Sequence, residues 1–172
     1  MMTGIERLNK ASGKAAEADL LACCGSRAWA RQMAEARPFN DLTDLLRKAR
    51  QIWWSLDAQD WLEAFASHPK IGERKAARAQ SAQASHWSKQ EQAGIHTATS
   101  EALMLLAEAN RAYEEKFDYI FIVCATGKSS KEMLSMCRQR LSNDPKVELR
   151  IAAEEQRKIM EIRLKKLVGA IE

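Results

Sequence analysis

A histidine that interrupts a helical pattern is the first residue in this chain whose type and position could do chemistry. His68 follows the helical spacing of residues 58–66 and directly precedes Pro69. Because a proline disfavours the α conformation of the residue before it, the helix must end there, and the imidazole can face a cleft. An imidazole titrates near neutral pH, so it can donate or accept a proton. The alternative is a plain cap, in which a cationic histidine stabilises the helix C-terminus.

A second polar group lies about twenty residues further on, at Ser88, Glu91 and Gln92. We expect these residues to open a long helix that continues to Phe117. Ser88 and Glu91 fit the S-x-x-E capping box, in which both side chains bond to backbone N–H groups of the first turn. A carboxylate and an amide can equally bind a small polar ligand. The sequence leaves both interpretations open.

An apolar run at residues 119–125 predicts a buried extended segment, which ends at Thr126-Gly127. With no second strand to pair with, its backbone groups need other partners. A ligand could supply them, and so could helix ends, side chains and water. The following Gly127-Lys128-Ser129 is no phosphate loop, because Ile122 stands where that motif requires glycine.

Composition limits the class of protein. Of 172 residues 46% are hydrophobic and 29% are charged, which is typical of one folded domain, here taken as residues 1–172 with an ordered core from about 14 to 168. No apolar run is long enough to span a membrane, and no targeting signal is evident, which favours the cytoplasm. A net charge of +4 does not indicate nucleic acid.

The cysteines and histidines indicate neither disulfides nor a metal site. The four cysteines lack C-x-x-C spacing, so we expect free thiols. The three histidines form no i,i+4 pair.

The elements that must position these residues are helical. The predicted fold class is all-α, a bundle of about seven to nine helices with a short extended segment lining the pocket. The predicted helices are residues 14–36 with a break at Gly25-Ser26, 41–56, 58–66 capped by Asp57, 88–117, one capped by Ser129 or Ser130, and a final helix after Asn143-Asp144-Pro145 with Gln156 on its apolar stripe. Residues 73–86 are predicted to be a solvated helix or a mobile loop that could act as a lid.

The final helix is basic, and Arg163 lies beside its apolar positions. We expect its guanidinium to point partly inward, where it could bind a carboxylate with two hydrogen bonds. The other basic side chains are typical of a solvated face near a helix C-terminus.

Taken together, these stretches closely resemble the OHCU decarboxylases (2-oxo-4-hydroxy-4-carboxy-5-ureidoimidazoline decarboxylases) of purine catabolism. The matches follow the family's order from about residue 20 to 168. They comprise Gly25-Ser26, Arg37-Pro38-Phe39, His68-Pro69-Lys70-Ile71-Gly72, Ser88 with Glu91-Gln92, Phe121-Ile122-Val123-Cys124-Ala125 with Thr126-Gly127-Lys128-Ser129, Asn143-Asp144-Pro145, and Glu148-Leu149 through Arg163-Leu164. One departure is Asp118, where the family commonly has glycine.

The resemblance implies a cofactor-free enzyme, often a homodimer, that decarboxylates the ureidoimidazoline to (S)-allantoin. It implies that His68 donates the proton and that Glu91 binds substrate and assists the departing group. It further implies substrate contacts from Pro69, Ser88, Gln92, Arg163 and the backbone of Phe121, Ile122, Val123, Cys124 and Ala125. The adjacent indoles of Trp53-Trp54 cannot both face one core, so one of them fits either a subunit contact or a half-exposed position on a monomer.

Two other functions remain open at this point. One is a non-catalytic helical module whose basic final helix contacts an acidic partner. The other is a different small-molecule lyase or hydrolase on the same fold.

Overall fold

The computed structural model describes residues 1–73, 76 and 78–172, and within these residues the protein is all-α, as predicted. Residues 74, 75 and 77 of the predicted lid lie outside the described residues. The described part forms nine α-helices and one 3-10 helix. These are α1 (Gly4–Lys10), α2 (Gly13–Cys24), α3 (Arg27–Glu35), α4 (Leu42–Ser55), α5 (Ala58–Ala66), α6 (Ala82–Glu91), the 3-10 helix (Ala93–Ile95), α7 (Ser100–Phe117), α8 (Ser130–Arg140) and α9 (Pro145–Leu167).

The chain divides into two compact units, one of residues 1–64 and 157–172 and the other of residues 65–156. In the first unit α2 packs on α3 and α3 packs on α4. Its fully buried side chains include Trp29 and Trp53, and the indole N–H of Trp29 donates to the Ala49 carbonyl at 3.1 Å. Trp54 is only partly buried, which agrees with the expectation that two adjacent indoles cannot both face one core.

The second unit packs α7 on α8 around an aromatic cluster. Tyr113 lies at its centre, with ring centroids 4.6 Å from Phe117 and 5.4 Å from Phe121. The run of residues 119–125 has no helical or strand hydrogen bonding, and residues 120–125 are all buried. The predicted burial of this run is therefore confirmed for residues 120–125, and the run lies outside every helix.

Several helix ends fall where local sequence signals placed them. Gly25 ends α2 in the left-handed conformation with φ 84°, and Ser26 accepts from the Trp29 backbone to start α3. The Asp57 side chain accepts from the Asp60 N–H at 3.1 Å at the start of α5. Ser129 forms a capping box with Glu132 at the start of α8. Each signal lies within four residues of the end it controls, which is why sequence alone predicts it.

The predicted helix 88–117 is confirmed only from Ser100 to Phe117, and its predicted start, with the capping box of Ser88 and Glu91, is wrong. Both residues lie near the end of α6, and α7 begins only at Ser100, where Thr99 accepts from the Ala102 N–H. The interruption is centred on Gly94. A Cβ at that position would lie 2.0 Å from the Lys128 carbonyl oxygen, so two backbone segments meet there. A tertiary contact, absent from the local pattern, breaks the helix.

The short helix α1 lies before the predicted start of the ordered core at about residue 14. Thr3 and Glu6 form its capping box, and Leu8 is buried. Seven residues carry too little apolar periodicity to predict a helix. Among all the described residues, no helix has the length and apolar character needed to cross a membrane.

Candidate active site

His68 lies just beyond the end of α5, as the His-Pro pair predicts. Its backbone N–H donates to the Phe65 carbonyl at 3.1 Å, which closes the last turn before Pro69 diverts the chain. The residue is only 6% exposed. Its Nε2 lies 2.7 Å from Oε1 of Gln156 in α9. The imidazole is thus held by a side chain as well as by the helix end.

A cavity of about 430 Å³ opens beside this break. That volume lies in the range of small-molecule sites. It is lined by Pro69, Gly72, Glu73, Gln80, Ser85, Ser88, Lys89, Gln92, Ile95 and His96. The structure therefore brings together three residues assigned to substrate by the resemblance. His68 and Glu91 are not among the lining residues and are buried next to Pro69 and Gln92 in the chain.

Hydrogen bonds join the wall of the cavity to the segment that follows His68. The Gln92 Oε1 accepts from the Gly72 N–H at 3.0 Å, and Gln80 Nε2 donates to the Ser88 hydroxyl at 3.1 Å. Gly72 has φ 88°, a conformation that favours glycine. The end of α6 and the turn after the His-Pro pair consequently hold each other in place.

Protein side chains bind much of the extended run. Ile122 O accepts from Arg140 at 2.7 Å, and Cys124 N–H donates to Glu155 at 3.2 Å. The Lys128 ammonium donates to Cys124 O at 2.6 Å, and the Lys128 backbone N–H donates to Ala125 O. For these four backbone groups the partners are protein groups and not a ligand.

A buried ionic network contacts the run of residues 119–125 through Arg140. Arg140 donates to Glu148 through Nε at 2.7 Å, and Tyr113 OH and Asn143 Nδ2 donate to the same carboxylate. The guanidinium carbon lies 4.7 Å from the Phe121 ring centroid. Burial raises the pKa of Tyr113, and the adjacent Glu148 raises it further. The phenol therefore stays neutral and acts as a donor.

Neither thiol chemistry nor metal binding is indicated here. Burial raises the pKa of the Cys124 thiol, so it is not an activated nucleophile. Within the part of the chain that the structure describes, no group of three or more His, Cys, Asp or Glu side chains could hold a metal ion.

Arg163 belongs to the first unit and is more deeply buried than the partly inward position predicted. It is 1% exposed, and its Nη1 donates to the Ala22 carbonyl at 3.1 Å. Arg157 pairs with Glu161, which also pairs with Arg50. Two of the basic residues of α9 are thus engaged inside the protein, and nothing here favours an acidic partner for this helix.

Local sequence signals do not identify the residues that position the site from a distance. Helical spacing places Gln156 only on an apolar stripe, and no motif singles out Glu155 or Arg140. The sequence does carry one signal for Gln156. A glutamine at a core position of a helix indicates a polar contact, because a buried amide requires a hydrogen-bond partner.

Comparison with known proteins shows similarity over most of the chain. The model of the OHCU decarboxylase family matches residues 9–165. The chain is 41% identical over 146 residues to the uric acid degradation bifunctional protein TTL of Arabidopsis thaliana, covering 84% of this chain and 45% of that protein. It is 28% identical over 132 residues to the 2-oxo-4-hydroxy-4-carboxy-5-ureidoimidazoline decarboxylase of Amia calva, covering 77% and 75% respectively.

A solved structure is also similar. It is a crystal structure of OHCU decarboxylase in the presence of (S)-allantoin, with TM-score 0.77 and 38% identity over 88% of this chain and 98% of that one. The chain spans less than half the length of the Arabidopsis bifunctional protein.

Proposed function

Because the chain belongs to the OHCU decarboxylase family, we propose that it removes CO2 from 2-oxo-4-hydroxy-4-carboxy-5-ureidoimidazoline to give (S)-allantoin, in the breakdown of urate. The observation that carries this proposal is the family match over residues 9–165. A buried histidine next to a polar cavity of small-molecule size supports it.

The proposed reaction needs no metal or organic cofactor. Loss of the carboxylate leaves an electron pair on a ring carbon, and neighbouring C=N and C=O groups can delocalise that pair. The protein has to hold the carboxylate out of the ring plane, stabilise the developing charge and protonate one face. We therefore propose a cofactor-free mechanism.

His68 is the proposed proton donor. Its helix-end position and its hydrogen bond to Gln156 fix the ring, and a fixed ring delivers a proton to one face of a planar substrate. The product is then a single stereoisomer.

Glu91 is proposed to bind substrate and to assist the departing carboxylate. The capping role that competed for this side chain is removed, because Glu91 is the last residue of α6 and not the third residue of a new helix. Ser88, Gln92 and Pro69 are proposed substrate contacts, since all three line the cavity. Gln92 uses its carbonyl oxygen on Gly72, so its amide NH2 is the group proposed to reach substrate.

The extended run and Arg163 complete the proposed set of contacts. Four backbone groups of residues 122–125 bind protein groups, so substrate contacts are proposed for the other backbone groups of Phe121, Ile122, Val123, Cys124 and Ala125. Arg163 lies within the stretch that the family model matches, and we propose that its guanidinium engages a substrate oxygen. A homodimer and a cytoplasmic location are proposed as well.

The experiment compares the wild-type protein with His68→Asn and His68→Ala. Substrate is generated immediately before use, and the optical activity of the allantoin formed is followed. We expect both variants to lose at least about a hundredfold in kcat, which is the usual contribution of a general acid. His86→Ala is the matched control, because His86 is an exposed histidine of α6. Wild-type rates in folded His68 variants would rule out the proton-donor role, and an inactive wild-type protein would rule out the decarboxylase.

A further inference from the structure

The side chain that binds the His68 ring belongs to Gln156, the last residue of the second unit in the sequence. Gln156 is fully buried in α9, and its Oε1 lies 2.7 Å from His68 Nε2. An amide oxygen carries no hydrogen and can only accept. With the amide oxygen facing the ring, Nε2 is the donor of this hydrogen bond.

We infer that Gln156 is a positioning residue that holds His68 in the Nε2–H tautomer, so that Nδ1 is the nitrogen that delivers the proton. An imidazole has two ring nitrogens, and the hydrogen bond made by one of them decides which tautomer is present. Since Nε2 keeps its proton for Gln156, only Nδ1 changes its protonation state during a cycle.

This inference rests on the proposed function for its chemical step. As CO2 leaves, the electron pair of its bond forms a double bond between the decarboxylated carbon and the adjacent ureido-bearing carbon, and the C=N electrons move onto the ring nitrogen. The Nδ1–H bond of the imidazolium then breaks, its electron pair stays on the imidazole nitrogen, and the proton bonds to the ureido-bearing carbon. The hydroxyl group on the decarboxylated carbon becomes the carbonyl of allantoin, and its proton passes to the ring nitrogen. Solvent returns one proton to Nδ1, so each turnover consumes one proton.

The adjacent residue of α9 binds the buried run at residues 119–125. Glu155 accepts from the Cys124 N–H at 3.2 Å, so consecutive residues of α9 hold the extended run and the imidazole. Rotation of the Gln156 amide by a half-turn would place its NH2 against Nε2 and require the opposite tautomer. The hydrogen bond therefore selects a tautomer, which simple packing against the ring would not do.

The test is histidine-selective 15N NMR, which needs no substrate. The chain has three histidines, and His86 and His96 are exposed, so the buried ring can be assigned by comparison with His68→Asn. At a pH where the ring is neutral, we expect wild-type His68 to show a protonated Nε2 and an unprotonated Nδ1. A protonated Nδ1 in the wild-type protein would overturn the inference.

Two variants separate an effect on the tautomer from an effect on folding. Gln156→Leu keeps much of the volume without the acceptor, and we expect mixed tautomers and a fall in kcat of about tenfold to hundredfold with little change in KM. Gln156→Glu keeps an accepting oxygen, so the Nε2–H tautomer should be retained. Gln139→Leu is the control, because Gln139 is an exposed glutamine of α8.

Outcomes for the two proposals are distinguishable. An unchanged tautomer and kcat in a folded Gln156→Leu variant would overturn the inference and leave the decarboxylase proposal intact. If Gln156→Leu does not fold, the wild-type tautomer and Gln156→Glu decide the question. An inactive wild-type protein with the Nε2–H tautomer would overturn the proposed function and the chemical step, with the structural part upheld.

Discussion

The strongest stability prediction concerns the buried pair of Arg140 and Glu148. Their side chains are 8% and 0% exposed, and Nη2 of the arginine lies 2.6 Å from Oε1 of the glutamate. Arg140→Met leaves the carboxylate without its cation, and Glu148→Leu leaves the guanidinium without its anion. Each single substitution should lower the free energy of unfolding by about 3–5 kcal/mol, because a buried charge loses its partner.

The double variant Arg140→Met/Glu148→Leu should lose less than the sum of the two single variants. No buried charge remains in it, although Tyr113 OH, Asn143 Nδ2 and Ile122 O each lose a hydrogen-bond partner. Those losses prevent a full recovery, since an unsatisfied buried polar group costs about 1–3 kcal/mol. We expect a coupling energy of about 2–3 kcal/mol between the two sites.

Urea unfolding, followed by far-UV circular dichroism, gives the free energy of unfolding of the wild-type protein, the two single variants and the double variant. The matched control is the half-exposed pair of Lys70 and Glu114, whose Nζ and Oε2 atoms lie 2.7 Å apart and whose side chains are 35% and 40% exposed. The same cycle on that pair should give a coupling energy below about 1 kcal/mol. Additive costs for Arg140 and Glu148 would refute the argument that burial gives this pair its effect.

Three further predictions follow from the backbone and from one thiol. Gly94→Ala should destabilise the protein by about 1–3 kcal/mol in urea unfolding, because its Cβ would meet Lys128 O, whereas Gly13→Ala has nothing within 4 Å and should be neutral or slightly stabilising; equal effects would contradict the close approach. Asp118 has φ 63°, so Asp118→Gly should raise stability by about 1 kcal/mol in thermal unfolding, and a loss would show that the aspartate is not strained. Burial raises the pKa of Cys137 to about 11, so the neutral thiol stabilises the folded protein fully below about pH 8.5, and this stabilisation is lost as the pH rises toward 11. The free energy of unfolding should therefore fall less between pH 8 and 10.5 in Cys137→Ala than in the wild-type protein. An identical fall in both proteins would exclude this thiol as the cause.

Local signals in the sequence predicted the elements of the site better than they predicted its contacts. The end of α5 follows from Pro69 alone, since the proline restricts its neighbour whatever else surrounds it. The buried run follows from a stretch of apolar residues bounded by a turn. Such features depend on a few adjacent residues, and the resemblance then assigned them roles that remain proposals.

The errors have tertiary causes. The pattern from Ser88 to Phe117 satisfies helical spacing, but the backbone at Gly94 approaches Lys128, and the chain breaks there. The Gln156 amide binds His68, 88 positions away in sequence, and the Arg140 guanidinium binds the Ile122 carbonyl, 18 positions away. A single sequence does not show which distant polar groups meet. It can therefore indicate that a buried glutamine needs a hydrogen-bond partner, but it does not identify that partner.

The contacts of Glu155 and Gln156 bear on which changes of length this protein tolerates. Neighbouring side chains leave a helix about 100° apart, and each inserted residue also advances the helix by about 1.5 Å. An insertion or deletion between Pro145 and Glu155 would therefore misdirect both side chains together. During evolution, substitutions on the exposed face of this stretch should accumulate freely, while its number of residues should stay constant.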